Sequence, residues 1–551
     1  MEGIKIGKQT LYRIVVAPLL ILLALLVFLP GAARPAKSTA ESPQSGAQQI
    51  GDNHIGFVWV NGPGCANASL RYQQAVSAGA HWTRWPIYWD KVEATQGTYD
   101  FSQQDSVVYG DLNAGLQING IIVGTPAWAA TSGLSSLSLP PLGRGTRGLS
   151  IAGISPLEVS SAASPPMNLD KPVFSAPEQK INQDNYWARF VYDTVKRYKD
   201  KVRVWEMWNE PDAPDFWSGG AAEYELLLKV GYQAAKAADP TVTVLFGGLW
   251  YWIDPTFFPR VLAIIARDPE ARANNYFFDG VAYHPYTSVY NVPNFATLAR
   301  SQMAAAGIPA KPLWFNETNI PVCDDTPGHS CAENNTLMGT MEQQAAYWIQ
   351  VVALAAASGV DKIFFHQLYD DGLTWPAYGI IRNDSTPRPA YYAYQTAATY
   401  LANPSAVTSR DLGNAEIIGL NSAGLGKVTV AWSKVRASVP VSIVAVNTTA
   451  ELRDKYGRLI SVVQPSGGYY RLTLPAATDP YPQDSTVAHV GGDPYLLIER
   501  GEFAQALGGS ESSAAPTYAA GGPLPGTTAS TSLRFRIIFP FVPVGLVDRG
   551  C

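Results

Sequence analysis

From His54 to about residue 402 the chain repeats one rhythm: a short apolar or β-branched run, a turn, an amphipathic stretch, then another run. Strand candidates fall at 54–60, 81–88, 116–123, 202–208, 243–247, 278–284, 312–317 and 362–367. Helical patterns lie between them. Asp184 to Tyr198 places Tyr186, Phe190, Val191 and Val195 on one face, and 221–238, 255–267, 293–306, 340–358 and 389–401 follow suit. Strands separated by helix-length segments can pair in parallel, so the pattern demands an α/β fold with a parallel sheet. A doubly wound sheet and a barrel both satisfy it, and the count of eight favours a (β/α)8 TIM barrel over residues 51–402. A Ser/Gly/Pro-rich stretch from Thr131 to Pro177 leaves the third strand. On a barrel it would start at the face where active sites are built, as a cleft wall or a flexible cover.

The flanks differ in texture. Lys5, Lys8 and Arg13 precede an apolar run from Ile14 to Leu29 and the small residues Gly31-Ala32-Ala33. A positive flank, an apolar stretch and small residues define an export signal, so 1–33 is read as a signal peptide or an N-terminal membrane anchor. Residues 34–50 have linker composition. After Asn403, the runs 427–432, 441–446, 451–460, 469–474 and 495–499 alternate with Gly, Asn, Pro and Asp turns. They predict a small antiparallel β-sandwich over 403–500. From Gly501 to Cys551 the chain is Ala/Gly/Ser/Pro-rich, the composition of a disordered tail. A net charge of −5 gives no electrostatic case for a nucleic-acid partner. Export agrees with four cysteines. Cys323 and Cys331 bracket a turn-rich loop and are expected to bridge; a metal site there would have only His329 as a further ligand. Cys65 and Cys551 are left over, with no ground for pairing them.

Two segments carry chemistry. In Val202-Arg203-Val204-Trp205-Glu206-Met207-Trp208-Asn209-Glu210-Pro211, a side-chain period of two turns Val204, Glu206, Trp208 and Glu210 to one side, into the barrel, and Pro211 ends the strand. In Pro312-Leu313-Trp314-Phe315-Asn316-Glu317-Thr318 the same parity turns Leu313, Phe315 and Glu317 inward. Two inward glutamates at the mouths of the fourth and seventh strands face one cavity. A retaining glycosidase needs such a pair, about 5–5.5 Å apart, one to protonate the leaving oxygen and one to attack the anomeric carbon. Each glutamate alone could equally form a barrel-mouth salt bridge.

Trp208-Asn209-Glu210-Pro211 at the fourth strand and a glutamate closing the seventh resemble glycoside hydrolase clan A. Ala80-His81-Trp82-Thr83-Arg84-Trp85, with Trp89, Glu93, Gly97, Tyr99 and Phe101 after it, is similar to the clan's second strand and the segment leaving that strand. Gly280-Val281-Ala282-Tyr283-His284-Pro285-Tyr286 is similar to its sixth, and Tyr378-Gly379-Ile380-Ile381 with Arg388-Pro389-Ala390-Tyr391-Tyr392 to the end of its barrel. A barrel with a small C-terminal sandwich is most similar, within the clan, to the β-xylosidase and α-L-iduronidase family. The resemblance implies Glu210 as acid/base, Glu317 as nucleophile and Asn209 on the sugar 2-hydroxyl. Arg84 would hold Glu317 ionised, with a structural ion pair to Glu206 as the rival reading. His284 and Tyr286 would contact Glu317 or the sugar. Trp128, Trp217 and Trp375 sit in or beside βα loops and either stack on sugars or pack the loops. His366 departs from the pattern, since an aromatic of the Trp or Tyr kind is expected near that place. No metal or organic cofactor is implied.

The function expected is retaining hydrolysis of β-linked glycosides, xylosides among them, by an exported enzyme. The alternatives are a non-catalytic cell-surface glycan-binding protein and a transglycosidase.

Overall fold

The computed structural model describes residues 54–65, 67–131, 161–325, 331, 337–372, 377–422, 424–479 and 488–501. The expected leader, linker and C-terminal tail lie outside these residues, as do the first part of the 131–177 loop and Trp375.

Eight strands close into a parallel barrel: β1 (Ile55–Val58), β2 (Trp82–Tyr88), β3 (Gln117–Val123), β4 (Val204–Asn209), β5 (Thr243–Leu249), β6 (Gly280–Tyr283), β7 (Leu313–Thr318) and β8 (Lys362–Phe365). Each pairs with its neighbours in sequence, and β8 pairs with β1. The principal helix after each strand packs outside: α1 (Ala68–Ser77), α2 (Ser102–Asn113), α3 (Tyr186–Arg197), α4 (Ala221–Ala238), α5 (Phe257–Ile265), α6 (Val292–Ala305), α7 (Met341–Ala357) and α8 (Pro389–Tyr400). The start of α7 shows why the chain turns helical there. Thr340 accepts the Gln343 N–H, and the Gln343 side chain accepts the Thr340 N–H, a reciprocal capping box.

The barrel's lower interior is filled by Val58, Trp82, Val204, Leu245, Trp314 and Phe364. Trp82 and Trp314 meet edge to face at 5.3 Å. This plug makes the barrel a packed core, leaving only its C-terminal mouth for chemistry. The described part of the long loop after β3 is tied down at that mouth: Thr125 Oγ1 donates to Ser164 O at 2.6 Å and Ser218 N donates to Ala163 O at 2.9 Å.

The C-terminal region is a sandwich. Strands β9 (Pro404–Asp411), β10 (Ala415–Ser422), β11 (Gly426–Ser433), β12 (Val439–Val444), β13 (Ala450–Arg453), β14 (Leu459–Val463), β15 (Tyr469–Leu474) and β16 (Tyr495–Glu499) form two sheets. One has the order β9-β10-β11-β16-β13-β14, and the other is the β12-β15 pair. Ile417, Ala431, Val441, Ile443, Leu472 and Leu497 fill the space between them. Two expectations needed correction. The run 451–460 is a hairpin rather than one strand, because Asp454 Oδ1 accepts the N–H groups of Tyr456 and Arg458, both at 2.9 Å, and Gly457 takes φ 73°. Strands β9 and β10 precede the first expected one; β9, Pro-Ser-Ala-Val-Thr-Ser-Arg-Asp, is a polar edge strand with little hydrophobic signal.

The expected Cys323–Cys331 bridge is present. Cys65 is disulfide-bonded rather than a leftover thiol, and Cys551 lies outside the described residues. No helix among the described residues is long and apolar enough to cross a membrane.

Candidate active site

The two glutamates do share one cavity, though strict strand alternation does not bring them there. On β7 the parity is the reverse of that expected. Trp314 belongs to the barrel interior, and Leu313 and Phe315 to the strand–helix core. Asn316 faces inward, donating to Asn119 Oδ1 at 3.0 Å and Glu206 Oε2 at 2.6 Å. The pairing with β8 then slips: Ile363 pairs with Phe315, but Phe365 pairs with Thr318. This bulge lets consecutive residues, Asn316 and Glu317, both point into the cavity. Thr318 turns outward to Tyr347, with their hydroxyls 2.8 Å apart.

On β4 the alternation breaks at Trp208. Its φ is 75°, and the indole packs outside the barrel, 5.0 Å from Trp217 and 6.0 Å from Trp187. Trp208 is therefore not inward-facing as parity predicts. Asn209 and Glu210 both turn in instead, with Glu210 also at positive φ, 42°. A bulky residue in that region costs of order 1–3 kcal/mol, and such strain clusters at functional sites. Neighbouring β5 leaves the room. A Cβ on Gly247 would lie 2.7 Å from two β4 carbonyl oxygens, and one on Gly248 would lie 2.0 Å from His284 Nε2.

Arg84 organises the cavity from β2. Its Nε and Nη2 donate to the two oxygens of Glu206 at 2.9 and 2.8 Å, and Nη2 also donates to Asn209 Oδ1 at 2.7 Å. Its Nη1 donates to Glu317 Oε1. The two readings of Arg84, partner of Glu317 and partner of Glu206, are thus both realised. Tyr286 donates its hydroxyl to Glu317 Oε2 at 2.6 Å. His284 Nδ1 lies 2.7 Å from Glu210 Oε1 and 3.8 Å from Glu317 Oε2.

The two carboxyl groups are tuned apart. Burial raises the pKa of Glu210, and the negative charge of Glu317 adds to the rise, against the bond and charge of His284. Burial acts on Glu317 too, but it is outweighed by the charges of His284 and Arg84, a contribution from His366 and the Tyr286 hydrogen bond, so its pKa falls well below the usual range. Burial disfavours charge on His284, yet the Glu317 charge and the Glu210 bond raise its pKa. Both shifts keep a proton on the Glu210–His284 side while Glu317 is ionised. Opposed environments of this kind let one carboxyl group hold a proton while the other stays ionised.

One carboxylate oxygen from each of Glu210 and Glu317, with a ring nitrogen of His284, lies within 4.8 Å of the others, a set that resembles metal ligands. The guanidinium on Glu317 already supplies the positive charge, which disfavours a cation there.

Of the expected site residues, Arg84, Asn209, Glu210, His284, Tyr286 and Glu317 come together. Two of the tryptophans do not. Trp217 is 2 % exposed, packed under Trp208, and offers no open face to a sugar. Trp128 is half-buried, donating to Glu93 O at 2.8 Å and packing edge-on against Trp89. Its ring serves the loop. The aromatic rings around His366 come from other elements. His366 Nδ1 lies 3.5 Å from Glu317 Oε2, and the rings of Trp59, Tyr286 and Tyr378 surround it at 5.5, 5.8 and 5.6 Å. Burial pushes the His366 pKa down to about 4, against the charge of Glu317. Asn119, Asn316 and Trp59 escaped sequence reasoning. The Gly247-Gly248 doublet was the available signal for the space around His284.

No protein-family model matches the chain, and no curated protein matches it. Solved structures do. A family 39 glycoside hydrolase from Bacteroides cellulosilyticus superposes with a TM-score of 0.57 at 17 % identity, covering 81 % of each chain. A monomeric β-xylosidase from Caulobacter crescentus gives 0.50 at 15 % identity, covering 81 % of this chain and 96 % of that one. A family 30 endoxylanase from Clostridium papyrosolvens gives 0.50 at 14 % identity, covering 82 % and 98 %. The chain has the fold of the clan A glycoside hydrolases. At these identities the likeness extends to the barrel with its C-terminal sandwich, the architecture the sequence predicts.

Proposed function

We propose that the protein is a retaining glycoside hydrolase acting on β-linked glycosides, with Glu317 as nucleophile and Glu210 as acid/base. The observation that carries this reading is the oppositely tuned pair of buried carboxyl groups within 4.8 Å across the barrel mouth. In the first step Glu317 attacks the anomeric carbon as the C–O bond breaks, and Glu210 gives its proton to the departing oxygen. Forming the glycosyl ester removes the charge on Glu317, which lowers the pKa of Glu210. Glu210 then takes a proton from water as that water attacks the anomeric carbon and releases Glu317. Asn209, held by Arg84, is placed for the sugar 2-hydroxyl.

β-Xylosides are the first substrates to try, since a β-xylosidase and an endoxylanase share the fold. The positive flank and apolar run of 1–33 support an exported protein, free or anchored.

Glu210→Ala should lose turnover of unactivated glycosides. With an activated aryl β-glycoside, azide should restore part of the rate and yield a β-glycosyl azide. NMR of early wild-type product should show the β-anomer; initial release of the α-anomer excludes retention.

A further inference from the structure

We infer that the C-terminal sandwich positions the loop after β6, and through it the Tyr286 hydroxyl on Glu317. This rests on Glu317 being the nucleophile. Tyr286 is two residues from Ser288, whose Oγ donates to His489 O at 3.0 Å. The Val289 N–H donates to the same carbonyl at 3.2 Å. One residue on, the Tyr290 hydroxyl accepts the Trp432 Nε1–H at 3.1 Å, and the Lys434 ammonium lies 4.9 Å from the Tyr290 ring. Three consecutive loop residues are therefore held by the second region of the chain.

The holder is itself fixed on both sides. Gly492 N donates to Ser433 O at 2.8 Å and Ala488 N to Lys434 O at 3.0 Å, which joins the segment to the end of β11. Gln350 of α7 accepts the Gly491 N–H and donates to Gly492 O, both at 2.9 Å. A Cβ on Gly491 would lie 2.2 Å from Trp432 Cδ1, so only glycine lets the segment run this close to the indole. Trp432 and Val490 lie in the same continuous core as the barrel's helices and strands. The sandwich is thus part of the barrel's framework at the one loop that bears both His284 and Tyr286. The groups on Glu317 from other elements, Arg84 and His366, have no such support from the sandwich among the described residues.

The test uses the full chain with Ser288→Ala and Trp432→Phe, separately and combined. Hydrogen–deuterium exchange should show lost protection over 284–291 in the combined variant, with little change over β7. Unchanged protection overturns the inference whatever the enzyme's activity. Each lost hydrogen bond should lower kcat/KM on an aryl β-glycoside by about three- to tenfold. The acid limb of the pH profile should move up, since Tyr286 helps to keep Glu317 ionised. In a Tyr286→Phe background the same changes should add nothing. Full additivity there, or a fall in melting temperature with an unmoved acid limb, also overturns it. A wild-type chain inert toward all glycosides would instead defeat the reading of Glu317, and the exchange result would still stand by itself.

Discussion

The lower and upper halves of the barrel interior are built on the same strands, yet they obey different rules. Below, Val58, Trp82, Val204, Leu245, Trp314 and Phe364 follow alternation and exclude water. Above, Arg84, Glu206, Asn209, Glu210, Asn316 and Glu317 bury charges in contact, and the backbone departs from regular geometry at Trp208, Glu210 and the β7 bulge. The apolar layer stabilises the fold directly. The polar layer holds its charges only because each has partners, and an unpaired buried charge is costly. Two residues along a strand separate a core from a strained, charged site.

The largest effect should come from the upper layer. Glu317→Ala should lower turnover by on the order of 10⁴-fold or more, about 5.5 kcal/mol of transition-state stabilisation, with the fold intact by circular dichroism. Residual activity within tenfold of wild type would mean that the charged upper layer does not carry the chemistry. Next, Arg84→Met leaves Glu206 and Glu317 buried together without their cation. Chemical denaturation should show a loss of about 3–5 kcal/mol, together with loss of activity. A smaller change in the lower layer sharpens the contrast. Phe364→Leu should cost roughly 1–2 kcal/mol of stability and leave the pH profile unmoved; a displaced limb would mean that the layers are not separable.

The smallest effect is a pH signature. The Glu210 pKa is raised in the folded state by burial and by Glu317, so this group favours folding below its unfolded pKa. That contribution disappears as pH rises through its folded pKa. Glu317 is the opposite case. Its depressed pKa contributes stability above the ordinary carboxylate range, lost only as pH falls through the folded value. Melting curves of Glu210→Gln against wild type should therefore separate in favour of the variant as pH rises from acid to alkaline. A gap independent of pH would contradict the tuning.

The same contrast governs how much was legible in the sequence. Strand positions were readable because apolar runs and helix periodicity are properties of neighbouring residues. All eight barrel strands fall within or beside the expected runs. Both glutamates were found at strand ends, but the orientation argument for them was incomplete. Parity assigned Phe315 and Trp208 inward, but both pack outside the barrel. Asn316 and Asn209 face the cavity instead, and a bulge and a positive φ, neither encoded in a period-two pattern, let Glu317 and Glu210 join them. By sequence Trp217 could equally stack on a sugar or pack its loop. Only its packing under Trp208, itself turned outward by that φ, reveals a core residue. Local pattern located the elements, and long-range contact decided what each side chain does.

As the nucleophile, Glu317 would form a covalent bond to the sugar while Glu210 stays free. Activated 2-deoxy-2-fluoro β-glycosides, in the xylo and gluco series, should accumulate the glycosyl-enzyme, because the fluorine slows its breakdown more than it slows an activated first step. Mass spectrometry of the intact chain should show one added sugar, and peptide mapping should place it on Glu317. A label on Glu210, or on any other residue, would contradict the account.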